Sequence, residues 1–177
     1  AAVRGALDIR AALAGLLVAV PVMVVVAVLI KLDSPGSVFF TQPRMGENGK
    51  SFRIYKFRSM VANAEALLDD LAGLVKLEEP VFKLKDDPRV TRVGHFLRRW
   101  SLDELPQLFN VVAGDMSMVG PRPEKVRIVR YYNGWHRQRL GAKPGVTGPV
   151  QVSGRGNLTL EERVQLEIDY INNYSLQ

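Results

Sequence analysis

Two adjacent carboxylates, Asp103 and Glu104, stand in the string Ser101-Leu102-Asp103-Glu104-Leu105-Pro106-Gln107. Arg89, Arg92, Arg98 and Arg99 crowd the approach to them. An ionised carboxylate can act as a nucleophile toward phosphorus and a neighbouring acid as its base, while guanidinium groups bind phosphate oxygens in pairs. The combination points to phosphate chemistry with a metal ion. On a helix, neighbouring side chains lie about 100° apart, so both acids share a pocket only at a helix start. The plainer alternative is a helix N-terminus decorated with acids that complement its dipole.

Other residues fit the same chemistry. Arg122 is held between Pro121 and Pro123, whose rings fix φ on either side, which suits a binding role. Arg98, Arg99 and Arg155 are further phosphate candidates, although most surface arginines only solvate a basic face. Glycines punctuate Lys143-Pro144-Gly145-Val146-Thr147-Gly148 and Ser153-Gly154-Arg155-Gly156, where backbone N–H groups can approach a phosphate. The spacing is not that of a P-loop. Lys125 to Lys143 carries Arg127, Arg130, Arg137 and Arg139 without an acid, interleaved with Tyr131, Tyr132 and Trp135. That pattern suits a helix on an anionic membrane surface, and nucleic-acid binding is its rival.

The elements that must position these groups follow from composition and periodicity. The chain has 177 residues, 47% of them hydrophobic, and a formal net charge of +6 with a pI near 9.8. That balance supports a packed domain and an anionic partner. Cysteine is absent and only His95 and His136 are present, which excludes disulfides, thiolate metal sites and a His-rich site. Ala11 to Ile30 is uncharged and, at roughly 20 residues, long enough to cross a hydrocarbon core. Pro21 interrupts it, and basic residues flank both ends (Arg4 and Arg10, then Lys31). A straight span and a re-entrant hairpin both remain open on these residues.

Beyond Asp33-Ser34-Pro35-Gly36, strands are predicted at Val38 to Thr41 and Ser51 to Phe57, joined around Glu47-Asn48-Gly49, with Phe52, Ile54 and Lys56 on one face. Helices are predicted at Asn63 to Leu77, Arg92 to Trp100, from Ser101 onward with Glu104 completing a capping box, through Glu124 to Leu140 as far as Asn133-Gly134, and from Thr159. Gly141 to Gly156 is predicted to be a structured loop.

In this order, several strings resemble the bacterial sugar transferase family, the monotopic phosphoglycosyl transferases. They are Lys31-Leu32-Asp33-Ser34-Pro35-Gly36, Ile54-Tyr55-Lys56-Phe57-Arg58-Ser59-Met60, Leu97 to Asn110, Gly114 to Pro123, and Lys143 to Gly148. The resemblance covers the chain from about Leu7 to Leu176. It implies a mixed, helix-rich α/β fold. Residues 1–31 would be a re-entrant membrane helix-break-helix turning at Pro21. Residues 32–177 would be a compact cytoplasmic catalytic domain with a small β-hairpin and interfacial amphipathic helices.

It also implies transfer of a phosphosugar from a nucleotide diphosphate sugar, usually a UDP-sugar, to polyprenyl (undecaprenyl) phosphate. Asp103 would be the nucleophile, UMP the leaving group, and a phosphosugar-aspartyl species the intermediate, with Glu104 assisting. Lys56, Arg98, Arg122 and Arg155 would bind phosphate, and Mg2+ would sit at Asp103 with Glu167 near it. The setting would be the cytoplasmic face of the bacterial inner membrane, in contact with anionic lipid and with no nucleic acid; a homo-oligomer is compatible with it.

The chain departs from the family pattern at Val20-Pro21, where a serine often precedes the proline, and at Glu167, where Asp is usual. Relatives usually continue past the position of Gln177, and the first residue is not Met, so a longer protein is expected. The competing class is a membrane-anchored basic module that binds lipid or nucleic acid without catalysis.

Overall fold

Apolar residues without an interrupting charge give the longest element, α1, Ala2–Asp33. It contains Pro21, which cannot donate to the carbonyl of Leu17, yet the main chain stays helical on both sides. The break predicted at Pro21 is therefore not a break in secondary structure, because neighbouring hydrogen bonds carry the helix past a single missing one. Ala12, Ala19, Met23, Val26 and Ile30 form a narrow buried stripe at helical spacing. Leu17 and Val18, 81% and 75% exposed, lie on the wide apolar remainder. Among the described residues α1 is the one helix long and apolar enough to cross a membrane.

The structure is a computed structural model that describes residues 2–67, 87–153 and 158–173. The chain divides into two interleaved units: Ala1–Val18, Thr41–Tyr55 and Gln107–Gln177 form one, and Ala19–Phe40 with Lys56–Pro106 the other.

In the first unit, β1 (Phe39–Met45) and β2 (Ser51–Phe57) contribute their inner halves to a sheet of order β2-β1-β4, where β4 is Glu124–Lys125. Arg44 pairs with Lys125 and Met45 with Glu124, antiparallel. The connecting turn uses left-handed Asn48 and Gly49, as the Asn-Gly dipeptide predicts. Phe52, Ile54 and Lys56 do turn away from solvent, while Arg53 and Tyr55 are exposed. A short helix, Gln107–Val112, carries the fully buried Asn110. Its side chain accepts from Tyr55 N at 3.0 Å and donates to Arg53 O at 2.7 Å, imitating a neighbouring strand.

β3 (Ser117–Val119) and β5 (Gly145–Thr147) pair in parallel. The glycines here serve backbone packing. A Cβ on Gly145 would lie 2.1 Å from Gly120 N, and one on Gly148 2.0 Å from Gly120 O. The weak phosphate-loop signal at Lys143 to Gly148 thus has a structural explanation.

Glu124 to Leu140 is not one helix. It breaks into β4, a turn of helix at Val126–Val129, another at Gly134–Arg137 and a 3-10 turn at Gln138–Gly141. Asn133 caps the second helical turn through His136 N at 2.9 Å, and Tyr132 and Arg139 are buried. An unbroken basic surface helix is incompatible with two of its polar and aromatic members facing inward. The last helix, Leu160–Asn173, starts as predicted: Thr159 and Glu162 exchange hydrogen bonds at 2.7 and 3.2 Å in a capping box.

In the second unit, α2 (Arg92–Trp100) occupies its predicted range, capped by Thr91 through Gly94 N at 3.0 Å. The segment after β2 lies against it: Thr91 N donates to Ser59 O at 3.1 Å, and Met60 bridges Val90. Phe57 stacks on Phe39 with centroids 5.4 Å apart. Arg58 donates to Ser34 O and Pro35 O at 2.8 and 2.6 Å, closing the turn after α1. The predicted helix from Asn63 is present through Leu67, and its remainder lies outside the described residues.

Gly94 sets the closeness of that packing, since a Cβ there would stand 2.0 Å from Ser59 O. Gly94→Ala is predicted to lower unfolding free energy by about 1–3 kcal/mol, seen as a lower melting temperature in detergent. Gly134→Ala, which meets no atom within 4 Å, is predicted to leave melting unchanged or raise it.

Candidate active site

Ser101 ends α2 in a left-handed conformation, φ 56° and ψ 21°. This is costly for a residue with a Cβ, and it turns the chain sharply. The next residues, Leu102–Glu104, form a 3-10 turn rather than the start of an α-helix. Ser101 makes no side-chain cap to that turn, so the predicted capping box is replaced. The Glu104 carboxylate reaches Lys56 Nζ instead, at 2.7 Å.

Lys56, Arg98, Asp103 and Glu104 thus belong to one charged cluster of the second unit. Lys56 arrives from the end of β2, Arg98 from the last turn of α2, and the two acids from the 3-10 turn. Arg98 Nε donates to Ser59 Oγ at 2.9 Å, which holds its shaft to the segment after β2. Ser59 is the member of this site that residue-type reasoning passed over; its signal was its place in Lys56-Phe57-Arg58-Ser59.

Asp103 is half-buried, and burial pushes its carboxyl above the usual carboxylate range. Lys56 pulls it back, Glu104 raises it further, and Arg98 lowers it. The result is a carboxyl group that is poorly solvated while cations stand close.

The other predicted cations divide differently. Arg89 is buried and engages Asp87 through two contacts of 2.6 and 2.8 Å, with Ala64 O at 3.1 Å, so its guanidinium is a structural brace. Arg92 and Arg99 are exposed on α2 beside Phe96 and Trp100, giving that helix an amphipathic outer face. Arg155 lies outside the described residues. Arg122 belongs to the first unit and is exposed between buried Pro121 and Pro123.

Glu167 is fully buried in the first unit, with one oxygen on Arg122 N at 2.8 Å and the other in an ion pair with Arg139. One oxygen is taken by a main-chain N–H group and the other by a single cation, the surroundings of an internal counter-ion rather than of a metal ligand. Among the described residues no group of three or more His, Asp or Glu side chains gathers as a metal cage.

A protonated Asp103 costs less to bury than a charged one. The upward displacement therefore favours the fold at low pH and is lost as pH rises through the raised value. Asp103→Asn is predicted to melt at a higher temperature than the native chain at neutral pH, the difference vanishing below the ordinary carboxylate range. In a carbon-13 carboxyl titration, Lys56→Gln is predicted to raise the Asp103 midpoint and Glu104→Gln to lower it. Movement in the opposite directions would remove this electrostatic account.

The family model described as bacterial sugar transferase matches residues 1–177. Galactosyl transferase CpsE of Streptococcus agalactiae is 46% identical over 96% of this chain and 38% of its own length. The UDP-galactose-lipid carrier transferase of Erwinia amylovora is 42% identical over 96% of the chain and 36% of its own. The undecaprenyl-phosphate galactose phosphotransferase of Salmonella typhimurium is 43% identical over 96% and 36%. The chain therefore spans little more than a third of these relatives' length.

Proposed function

The chain belongs to the bacterial sugar transferase family, and from that premise we propose that it moves a phosphosugar from a UDP-sugar to polyprenyl phosphate at the membrane, releasing UMP. The observation that carries this reading is the cluster of Lys56, Arg98, Asp103 and Glu104: a half-buried carboxylate held among cations, with its neighbouring acid anchored to a lysine. Two relatives whose names specify a lipid carrier and undecaprenyl phosphate support the choice of acceptor.

In the first step an Asp103 oxygen attacks the β-phosphorus. The bond from that phosphorus to the oxygen bridging to the α-phosphate breaks, and UMP leaves with the electron pair. In the second, an oxygen of polyprenyl phosphate attacks the phosphorus of the phosphosugar-aspartyl intermediate. The product is a polyprenyl-diphosphate sugar, and the Asp103 carboxylate is restored. Glu104, oriented by Lys56, takes a proton from the acceptor phosphate when it arrives protonated. Lys56 and Arg98 offset phosphate charge in both steps.

A magnesium ion fits this donor set, because Mg2+ commonly uses one or two carboxylates together with substrate phosphates and needs no protein cage. Asp103 would hold it with the diphosphate oxygens, and when bound it would neutralise charge on the diphosphate. Glu167 is left out of that set because its oxygens already serve Arg122 and Arg139.

The way α1 is held at its two ends supports the reading of a membrane element. At its start, Arg4 donates to Ser117 Oγ and Tyr170 OH at 3.1 Å each, and Asp8 accepts from Ser117 Oγ and Met118 N at 2.7 and 3.0 Å. At its end, Asp33 accepts from Val93 N at 3.1 Å and Lys31 donates to Gly36 O at 2.8 Å. After Lys31 the sequence holds no second uncharged run of spanning length. This supports residues 1–31 as a re-entrant membrane element and 32–177 as a catalytic domain on the cytoplasmic face, where nucleotide sugars are made.

Incubation with UDP-sugars, polyprenyl phosphate and Mg2+ is predicted to release UMP, not UDP. Asp103→Asn is predicted to lower that release at least about a thousandfold. With acceptor withheld, the peptide containing Asp103 should gain the mass of a phosphosugar. Undiminished UMP release by Asp103→Asn would sink the nucleophile assignment.

The absence of cysteine makes topology directly testable. Single cysteines at Gly5 and Lys50 are predicted to resist a membrane-impermeant maleimide in intact spheroplasts, and both to react after permeabilisation. Labelling of position 5 alone from outside would mean that α1 crosses the bilayer.

A further inference from the structure

Three cations of the second unit carry their charge in different company. Arg89 is buried against Asp87, with contacts of 2.6 and 2.8 Å. Lys56 stands 2.7 Å from Glu104. Arg98 is exposed and, among the described residues, makes no ion pair; the hydrogen bond of its guanidinium runs from Nε to Ser59 Oγ at 2.9 Å.

Ser59 is a fixed point. It is buried, and its carbonyl accepts from Thr91 N at 3.1 Å. Gly94 of α2 packs so closely on that carbonyl that a Cβ would stand 2.0 Å from it. On one side, Arg58 N donates to Val38 O at 2.9 Å and its guanidinium binds Ser34 O and Pro35 O. On the other, Met60 bridges Val90 and Val61 N donates to Arg89 O at 2.9 Å. The hydroxyl is therefore presented from a main chain held on both sides.

A guanidinium has five N–H donors in one plane. With Nε on Ser59, the two terminal nitrogens remain as a fork whose spacing suits two oxygens of a phosphate. A carboxylate in place of the Ser59 hydroxyl would hold the guanidinium as well, but it would cancel the charge, as Asp87 does for Arg89. A hydroxyl orients without neutralising. The bond adds little to stability, because water replaces it at an exposed arginine. Burial raises the Asp103 carboxyl, and Lys56, Glu104 and Arg98 also act on it, so the guanidinium stands within electrostatic reach of that acid.

We propose that Ser59 is a positioning residue for phosphoryl transfer: its hydroxyl holds Arg98 by Nε and leaves the terminal fork to bind a phosphate group beside Asp103. The proposal rests on the phosphoglycosyl transfer reading and deepens it with a residue that acts through Arg98. A guanidinium oriented in advance loses less freedom on binding than one that is not. Ser59, Arg98 and Asp103 all belong to the second unit. The phosphate can belong to the nucleotide sugar or to the polyprenyl phosphate.

The test uses the full chain in detergent or nanodiscs with Mg2+. UMP release from a UDP-sugar in the first turnover, with acceptor withheld, reads the nucleotide-sugar phosphate. Transfer from the loaded chain to polyprenyl phosphate reads the acceptor phosphate. Ser59→Ala is expected to melt like the native chain and to slow at least one of these steps about tenfold. Ser59→Thr, which keeps the hydroxyl, should recover most of that loss. Arg98→Ala should slow the same step more, and Ser59→Ala should add nothing in that background. The step that slows identifies the phosphate that Arg98 holds. Native rates for Ser59→Ala in both steps would overturn the proposal, as would equal losses in Ser59→Thr and Ser59→Ala, or additive losses in the double variant. A Ser59→Ala chain that melts well below the native one would also overturn it, by making the hydroxyl a structural group. In each of those cases UMP release that depends on Asp103 would leave the proposed reaction standing. Absence of UMP release from the native chain would instead remove the reaction, and the role of Ser59 with it.

Discussion

A long apolar helix can be built into a folded chain only if its polar ends are held by other segments, and pinned ends are the constraint that organises this molecule. Arg4 and Asp8 bind β3 and Tyr170 at the start of α1, while Asp33 caps into α2 at its end. Neither anchor is a passive surface contact. Arg4 spends its guanidinium on Ser117 and Tyr170, and the Asp8 carboxylate takes both a hydroxyl and a main-chain N–H of β3. Between the anchors, the apolar surface left outside is of the kind that lipid solvates and water does not. Pro21 removes one internal hydrogen bond along the way, a modest local loss beside the burial of a helix face.

The charged residues separate into two clusters with different dielectric surroundings. In one unit Lys56, Arg98, Asp103 and Glu104 stand partly in solvent, and the carboxyl of Asp103 is displaced upward by burial but restrained by two cations. Partial solvation leaves these groups able to change partners. In the other unit Arg139 and Glu167 are withdrawn from water and bound to main chain. Their energy goes into geometry: exchange of any partner would strand a charge in a medium that cannot solvate it. The same residue types therefore do opposite work, and depth decides which.

Close backbone approach supports both clusters. Gly94 lets α2 rest on Ser59, whose hydroxyl then orients Arg98. Gly120, Gly145 and Gly148 let the turn before Arg122 lie against β5. In each case a missing Cβ, not a flexible main chain, is the property used.

Much was legible in the residues alone, for reasons that are local. Apolar continuity marks α1, alternation marks β2 with Phe52, Ile54 and Lys56 inward, and Thr159 with Glu162 announces the last helix, because these signals act within a few residues. The dyad and the proline-flanked Arg122 could also be singled out from type and spacing. The tertiary structure decided the rest. It turned Ser101 left-handed, so that Glu104 meets Lys56 instead of capping a helix. It broke the stretch from Glu124 to Leu140 and drew Arg139 inward to Glu167. It gave Arg89 to Asp87 and left Arg98 to Ser59. A charge read in sequence has a sign but no depth and no partner. Both are fixed by segments far away along the chain, and for Lys56, Arg139 and Glu167 that distant packing separates a charge left partly in solvent from charges that hold the frame.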